Sequence, residues 1–84
     1  MSYTVLIKKS AEKEMDKLQK PLFTKVKLKL LSLGVNPHSI GIKKLTNRPE
    51  YRMRVGDYRI LFSIDDINKI VEVIAIGHRK DVYK

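Results

Sequence analysis

The segment Tyr51-Arg52-Met53-Arg54-Val55-Gly56-Asp57-Tyr58-Arg59-Ile60-Leu61-Phe62 alternates in character with a period of two. That period marks half-buried strands. Gly56-Asp57 separates two such runs and fits a two-residue hairpin turn. The turn predicts Val55 opposite Tyr58, Arg54 opposite Arg59 and Arg52 opposite Leu61. Tyr51, Met53, Val55, Tyr58, Ile60 and Phe62 then share a core face. Arg52, Arg54 and Arg59 share the other. Like charges directly across a ladder destabilise the pair, so folding gives no reason for Arg54 to face Arg59. A polyanionic ligand does.

The remaining elements can be placed around this hairpin. Tyr3 to Ile7 is β-branched and aromatic and predicts a first strand. Ser10 is the expected N-cap of a helix carrying Ala11, Met15 and Leu18 and ending near Lys20, with Glu12 and Glu14 in its first turn. Pro21 suits the start of a second helix, with Phe23, Val26, Leu30 and Leu33 as its buried stripe. Gly34 is the expected stop, followed by Asn36-Pro37. His38 to Glu50 lacks a period and predicts a surface connection anchored by Leu45. Ile70 to Ile76 predicts a last strand. Pairing Ile64 with Val71 would put Val71, Val73 and Ala75 on the core face. Glu72, Ile74, Ile76 and His78 would then join the arginine face. Leu61, Ile74 and Ile76 would need cover there, from the connection or from a partner chain. The expected fold class is α+β: two N-terminal helices packed on one face of a mainly antiparallel four-stranded sheet, in the order β-α-α-β-β-β.

Length and charge narrow the function. The 84 residues suit one domain spanning 1–84. There are 18 Lys and Arg against 9 Asp and Glu, a net charge of +9, which predicts attraction to an anionic partner such as nucleic acid. The charge runs from Lys8 to Lys84 rather than in a tail, which favours a binding surface over a disordered arm. Absence of cysteine excludes disulfides and thiolate metal sites. No secretory signal or membrane-length apolar run is present, and a cytoplasmic setting is expected.

No metal motif, phosphate loop or nucleophile elbow is present, and no cofactor is expected. Asp65-Asp66 is a turn signal. The candidate chemistry rests on Arg52, Arg54, Arg59, His78, Arg79 and Tyr83, with Lys43, Lys44 and Arg48 as basic substrate contacts in the connection. Guanidinium groups fit phosphate oxygens and keep their charge. Clustered, they can stabilise a five-coordinate phosphorus. Histidine can move a proton near neutral pH, and tyrosine can stack on a base. This set suits cleavage of RNA by its own 2′-hydroxyl.

On these residues the chain resembles the RelE/ParE toxin superfamily over nearly its whole length. The resemblance lies in Tyr3-x-Val5, in Leu45, in Tyr51 through Arg59, and in Gly77-His78-Arg79-Lys80-Asp81-Val82-Tyr83. The closing His-Arg and Val-Tyr are more similar to the RelE branch than to the gyrase-poisoning ParE branch. The resemblance implies a toxin that cleaves messenger RNA in the ribosomal decoding site. It also implies a RelB-like antitoxin, with which a heterotetramer could bind operator DNA. It implies that Arg52 and Arg54 are the basic pair of the family's second strand and that Arg59 holds phosphate. Arg79 would protonate the 5′-oxygen leaving group, and Tyr83 would stack on or orient the substrate. Arginines stand here where better-known members carry strand lysines, and arginine is a poor base. His78 is therefore a candidate base or acid. The chain ends one residue after Tyr83, so the extra C-terminal helix of some members is not expected.

Overall fold

The computed structural model describes residues 2–38 and 42–78. Strand β1 (Thr4–Ile7) leads into helix α1 (Lys9–Asp16) and helix α2 (Lys20–Val35). Strands β2 (Lys43–Lys44), β3 (Tyr51–Val55), β4 (Tyr58–Asp65) and β5 (Ile70–His78) follow. They form one sheet in the order β1-β5-β4-β3-β2. The pairing of β1 with β5 is parallel and the rest is antiparallel. The expected α+β architecture holds, but with five strands rather than four. Lys43–Lys44 pairs with Tyr51 and Arg52 inside what the sequence shows as connection. Two exposed lysines carry no hydrophobic period, so this short ladder leaves no signal in the pattern.

Both helices pack on one face of the sheet. Ala11 and Met15 of α1 and Val26, Leu30 and Leu33 of α2 are buried against Met53, Val55, Ile60, Phe62, Val71 and Val73. Phe62, Ile60, Val26 and Leu33 are the largest side chains wholly removed from water here. Two helix ends differ from the pattern-based expectation. Helix α1 begins after Lys8, which makes no side-chain cap, and not after Ser10. The Lys8 N–H still donates to the Val73 carbonyl at 3.0 Å, so the helix starts as soon as the chain leaves the sheet. Helix α2 runs through Gly34 to Val35. Gly34 serves close approach rather than termination: its carbonyl accepts from Tyr3 N–H at 2.6 Å. A Cβ there would lie 3.3 Å from the Tyr3 carbonyl oxygen.

The hairpin has the predicted register, with Arg52 opposite Leu61, Arg54 opposite Arg59 and Val55 opposite Tyr58. Gly56 has a φ of 59°, whereas Asp57 does not enter the positive region. This matches a type II′ turn, in which the first central residue is glycine. The predicted pairing of Ile64 with Val71 also holds. Beyond it, however, the register shifts between Leu61 and Phe62. Phe62 pairs with Val73 and Leu61 with Ala75, leaving Ile74 as an extra residue. A bulge of this kind changes the parity of the strand beyond it. Ile76 therefore pairs with Ile60 and enters the core at 3 % exposure, while Ala75 and Gly77 move to the arginine face. The expected assignments of Ala75, Ile76 and His78 are reversed. The run Val73-Ile74-Ala75-Ile76 is apolar at both parities, so alternation cannot reveal the extra residue.

The end of the sheet away from the Gly56 turn is closed by a polar cluster. The Tyr3 hydroxyl donates to Asp66 Oδ1 at 2.5 Å, and His38 Nε2 lies 2.9 Å from the same oxygen. Lys69 Nζ sits 5.0 Å from the centre of the Tyr3 ring, and the His38 ring meets Tyr51 edge-on. The cluster joins β1, the segment after α2 and the β4–β5 turn. The Asp65 carboxylate holds that turn by accepting from the backbone of Ile67 and Asn68. Bonds from Tyr3 and then His38 keep the Asp66 carboxyl below its ordinary 3.8. The bond to Asp66 in turn raises the Tyr3 hydroxyl above 10.0. A depressed carboxyl contributes stability above its unfolded value and loses it as pH falls through the folded one. A raised phenol contributes below its unfolded value and loses that contribution as pH rises through the folded one. Asp66→Asn is therefore expected to lower the urea midpoint at neutral pH and to leave it unchanged in acid below the carboxylate range. Equal losses at both pH values would contradict this coupling.

Candidate nucleic-acid interface

The sheet face opposite the helices carries two adjacent rows of residues. Lys43, Arg52, Leu61 and Ala75 lie across β2, β3, β4 and β5 in one row. Arg54, Arg59 and Gly77 form the next. Because pairing strands keep directly opposed residues on one face, Lys43, Arg52, Arg54 and Arg59 share a surface. Arg54 is exposed, Arg52 is half-buried and Arg59 is buried to 9 % exposure. Leu61 is only 2 % exposed. It is thus covered within the chain itself, and not by a partner.

Arg54 and Arg59 line a common recess of about 60 Å³ with Gly56 and Asp57. The recess admits groups larger than a water, which needs about 10–15 Å³. Arg54 supplies a solvated guanidinium and Arg59 a largely buried one. Two arginines lining one small space suit an anionic group such as a phosphate. The small residues Ala75 and Gly77, put on this face by the bulge, keep the floor beside Leu61 and Arg59 low.

Other predicted contacts are distributed differently. Lys44 pairs with Tyr51 and so takes the opposite parity from Lys43. Arg48 bonds Glu50 Oε1 through Nη2 at 2.6 Å and through Nε at 2.9 Å, which orients it along its own loop. His78 pairs with Tyr58, and their rings meet edge-on with centroids 5.7 Å apart. It therefore faces Tyr58 and not Arg59. Arg79 and Tyr83 lie outside the described residues. Lys43 gained a specific place that its sequence context does not signal, because the two-residue strand fixes its direction.

The ladder makes Arg54 and Arg59 electrostatic rivals. Directly opposed like charges cost roughly 0.2–1 kcal/mol, and salt screens the exposed partner. Arg54→Gln is expected to raise the stability of the unliganded protein by about 0.5 kcal/mol at low ionic strength. The gain should shrink in high salt. Urea unfolding at two salt concentrations measures both, and destabilisation by Arg54→Gln at low salt would refute the like-charge account.

Comparison with known proteins agrees with this architecture. Residues 5–83 match the model for the ParE toxin of type II toxin–antitoxin systems, parDE. The chain is 30% identical to a RelE-like toxin protein of Escherichia coli, over 99% of this chain and 92% of that one. It is 31% identical to toxin RelG of Mycobacterium tuberculosis, over 100% of this chain and 99% of the relative. A chain of the RelBE2 toxin–antitoxin complex from Mycobacterium tuberculosis superposes with a TM-score of 0.83 at 27% identity, covering 94% of this chain and 100% of that chain.

Proposed function

Because this chain belongs to the RelE/ParE superfamily of type II toxin–antitoxin toxins and is RelE-like, we propose that it is a ribosome-dependent endoribonuclease cutting messenger RNA in the decoding site. The observation that carries this reading is the convergence of Arg54 and Arg59 on one recess, beside the Lys43–Arg52 row.

In the proposed reaction the 2′-hydroxyl of the message passes its proton to solvent water as it attacks the adjacent phosphorus. The five-coordinate species gains negative charge on its non-bridging oxygens, where Arg54 and Arg59 donate. Fixed donors aimed at developing charge lower the barrier most. The bond to the 5′-oxygen then breaks, leaving a 2′,3′-cyclic phosphate and a 5′-hydroxyl. Arg79 supplies the proton to the leaving oxygen, and Tyr83 stacks on the substrate. Lys43 and Arg52 take the neighbouring phosphate of the strand. His78, turned toward Tyr58, is assigned a positioning part at the end of β5. A RelB-like antitoxin is the partner that holds the toxin inactive, and their heterotetramer binds operator DNA.

The match to the ParE model favours a second reading, in which the chain poisons DNA gyrase by surface contacts and cuts no RNA. Mapping message ends on ribosomes treated with purified protein separates the two. Cuts at the decoding site are expected. Arg54→Ala, Arg59→Ala and Arg79→Ala should each slow cutting by about 100-fold or more, with circular dichroism unchanged. His78→Gln should slow it by less than about tenfold. Intact message together with gyrase-dependent DNA breaks would replace the nuclease reading with the ParE-like one.

A further inference from the structure

The recess at the hairpin turn holds one charged group that the proposed reaction does not use. Asp57 lines it together with Arg54, Gly56 and Arg59. The turn itself does not require a carboxylate. A type II′ turn needs glycine at its first central position, and Gly56 meets that need with its φ of 59°. Asp57 follows as the second central residue and is exposed. Other carboxylates of the described residues have local partners: Glu14 pairs with Lys17, Glu50 with Arg48, and Asp65 holds the backbone of its own turn.

A phosphate alone would gain nothing from Asp57, because two anions facing one small space repel. The recess instead combines two guanidinium groups with one carboxylate, so its charges sum to a single positive. A phosphodiester carries a single negative charge. What the carboxylate adds is an acceptor, since in its ionised form it has no hydrogen to donate. The matching ligand has an anion and a hydroxyl donor side by side. In RNA the 2′-hydroxyl stands on the carbon next to the one bearing the 3′-phosphate, and DNA lacks it.

We propose that Asp57 accepts a hydrogen bond from the 2′-hydroxyl beside the phosphate held by Arg54 and Arg59, and that its carboxylate is the first acceptor of the hydroxyl proton. The inference rests on the nuclease reading and adds the group through which the proton reaches water. As the 2′-oxygen bonds to phosphorus, its O–H bond breaks and the proton passes to a carboxylate oxygen of Asp57. The bond from phosphorus to the 5′-oxygen breaks, its electron pair stays on that oxygen, and Arg79 protonates it. Asp57 then releases its proton to solvent and Arg79 recovers one. The arginines of the recess keep their protons, and His78 faces Tyr58, so among the described residues lining the recess the acceptor is Asp57. The same contact selects RNA over DNA.

The probes are the dinucleotide UpU and its counterpart lacking the 2′-hydroxyl beside the phosphate. Each is titrated into isotope-labelled full-length protein and followed by amide NMR. Shifts are expected at Gly56, Asp57 and Arg59, with UpU binding about tenfold tighter. Asp57→Ala should bring the two to equal affinity. It should also bind dimethyl phosphate about twofold tighter than the parent at low salt, because a repelling charge is gone. Asp57→Asn should keep about threefold preference for UpU, since its side-chain carbonyl still accepts but takes no proton. Both variants should slow message cutting on ribosomes by about 100-fold. An aspartate that only shaped the turn would not separate binding from cutting in this way.

Equal binding of the two dinucleotides to the parent, shifts confined to another surface, or cutting by Asp57→Asn at the parent rate would overturn the inference. The amide spectra show directly whether Asp57→Ala keeps the fold, and where it does not, Asp57→Asn carries the test. The binding measurements involve neither ribosomes nor cleavage. Equal dinucleotide binding by a protein that cuts message would remove the part given to Asp57 and leave the nuclease reading standing. Preference for UpU through Asp57, with message left intact, would overturn the nuclease reading and the proton transfer together and leave only the hydroxyl contact.

Discussion

The pairing of β3 with β4 is the constraint on which this molecule depends. One turn, with glycine at a positive φ of 59°, decides which side chains enter the core and which guanidinium groups face each other. A slip of one residue would move Met53, Val55, Ile60 and Phe62 into water and bury charge in their place. Burial of that apolar set is worth several kcal/mol, at about 1.5–3 kcal/mol for each large side chain. Repulsion between Arg54 and Arg59 is worth about 1 kcal/mol or less. The core therefore wins, and it imposes a charge arrangement that folding alone would avoid.

That arrangement gives the two arginines different parts. Arg59 is nearly excluded from water and sits on the central strand β4. Arg54 is exposed on β3, beyond the short reach of β2. The face therefore carries one guanidinium sheltered by the sheet beside one open to water. The exposed arginine also lines the cleft between α2 and the hairpin turn.

Local rules made much of this readable from the letters. The period-two run and the Gly56-Asp57 turn specified the hairpin register and the shared face of Arg52, Arg54 and Arg59. The helical spacing of Val26, Leu30 and Leu33 specified the buried side of α2. What escaped is set by tertiary geometry. Ser10 resembles a cap, but the helix start is dictated by where β1 leaves the sheet. Gly34 resembles a stop, but it is there to let α2 approach Tyr3. Lys43–Lys44 pairs through backbone groups, which side-chain pattern does not record. The orientation of His78 depends on a bulge in a strand that is apolar at both parities. Arg79 and Tyr83, named from family resemblance, lie outside the described residues.

The bulge at Ile74 also decides which side chains of β5 each side of the sheet receives. It is a switch of phase: upstream, β5 lends Val71 and Val73 to the interior, and downstream it lends Ile76. Flattening the bulge with every residue retained would restore simple alternation, thrust Ile76 and His78 onto the Arg59 face, and leave the hydrophobic layer facing Ala75 and Gly77. Both sides of the sheet would fail together. The one-residue irregularity thus serves as the ruler that keeps the buried layer and the arginine face of β5 in step.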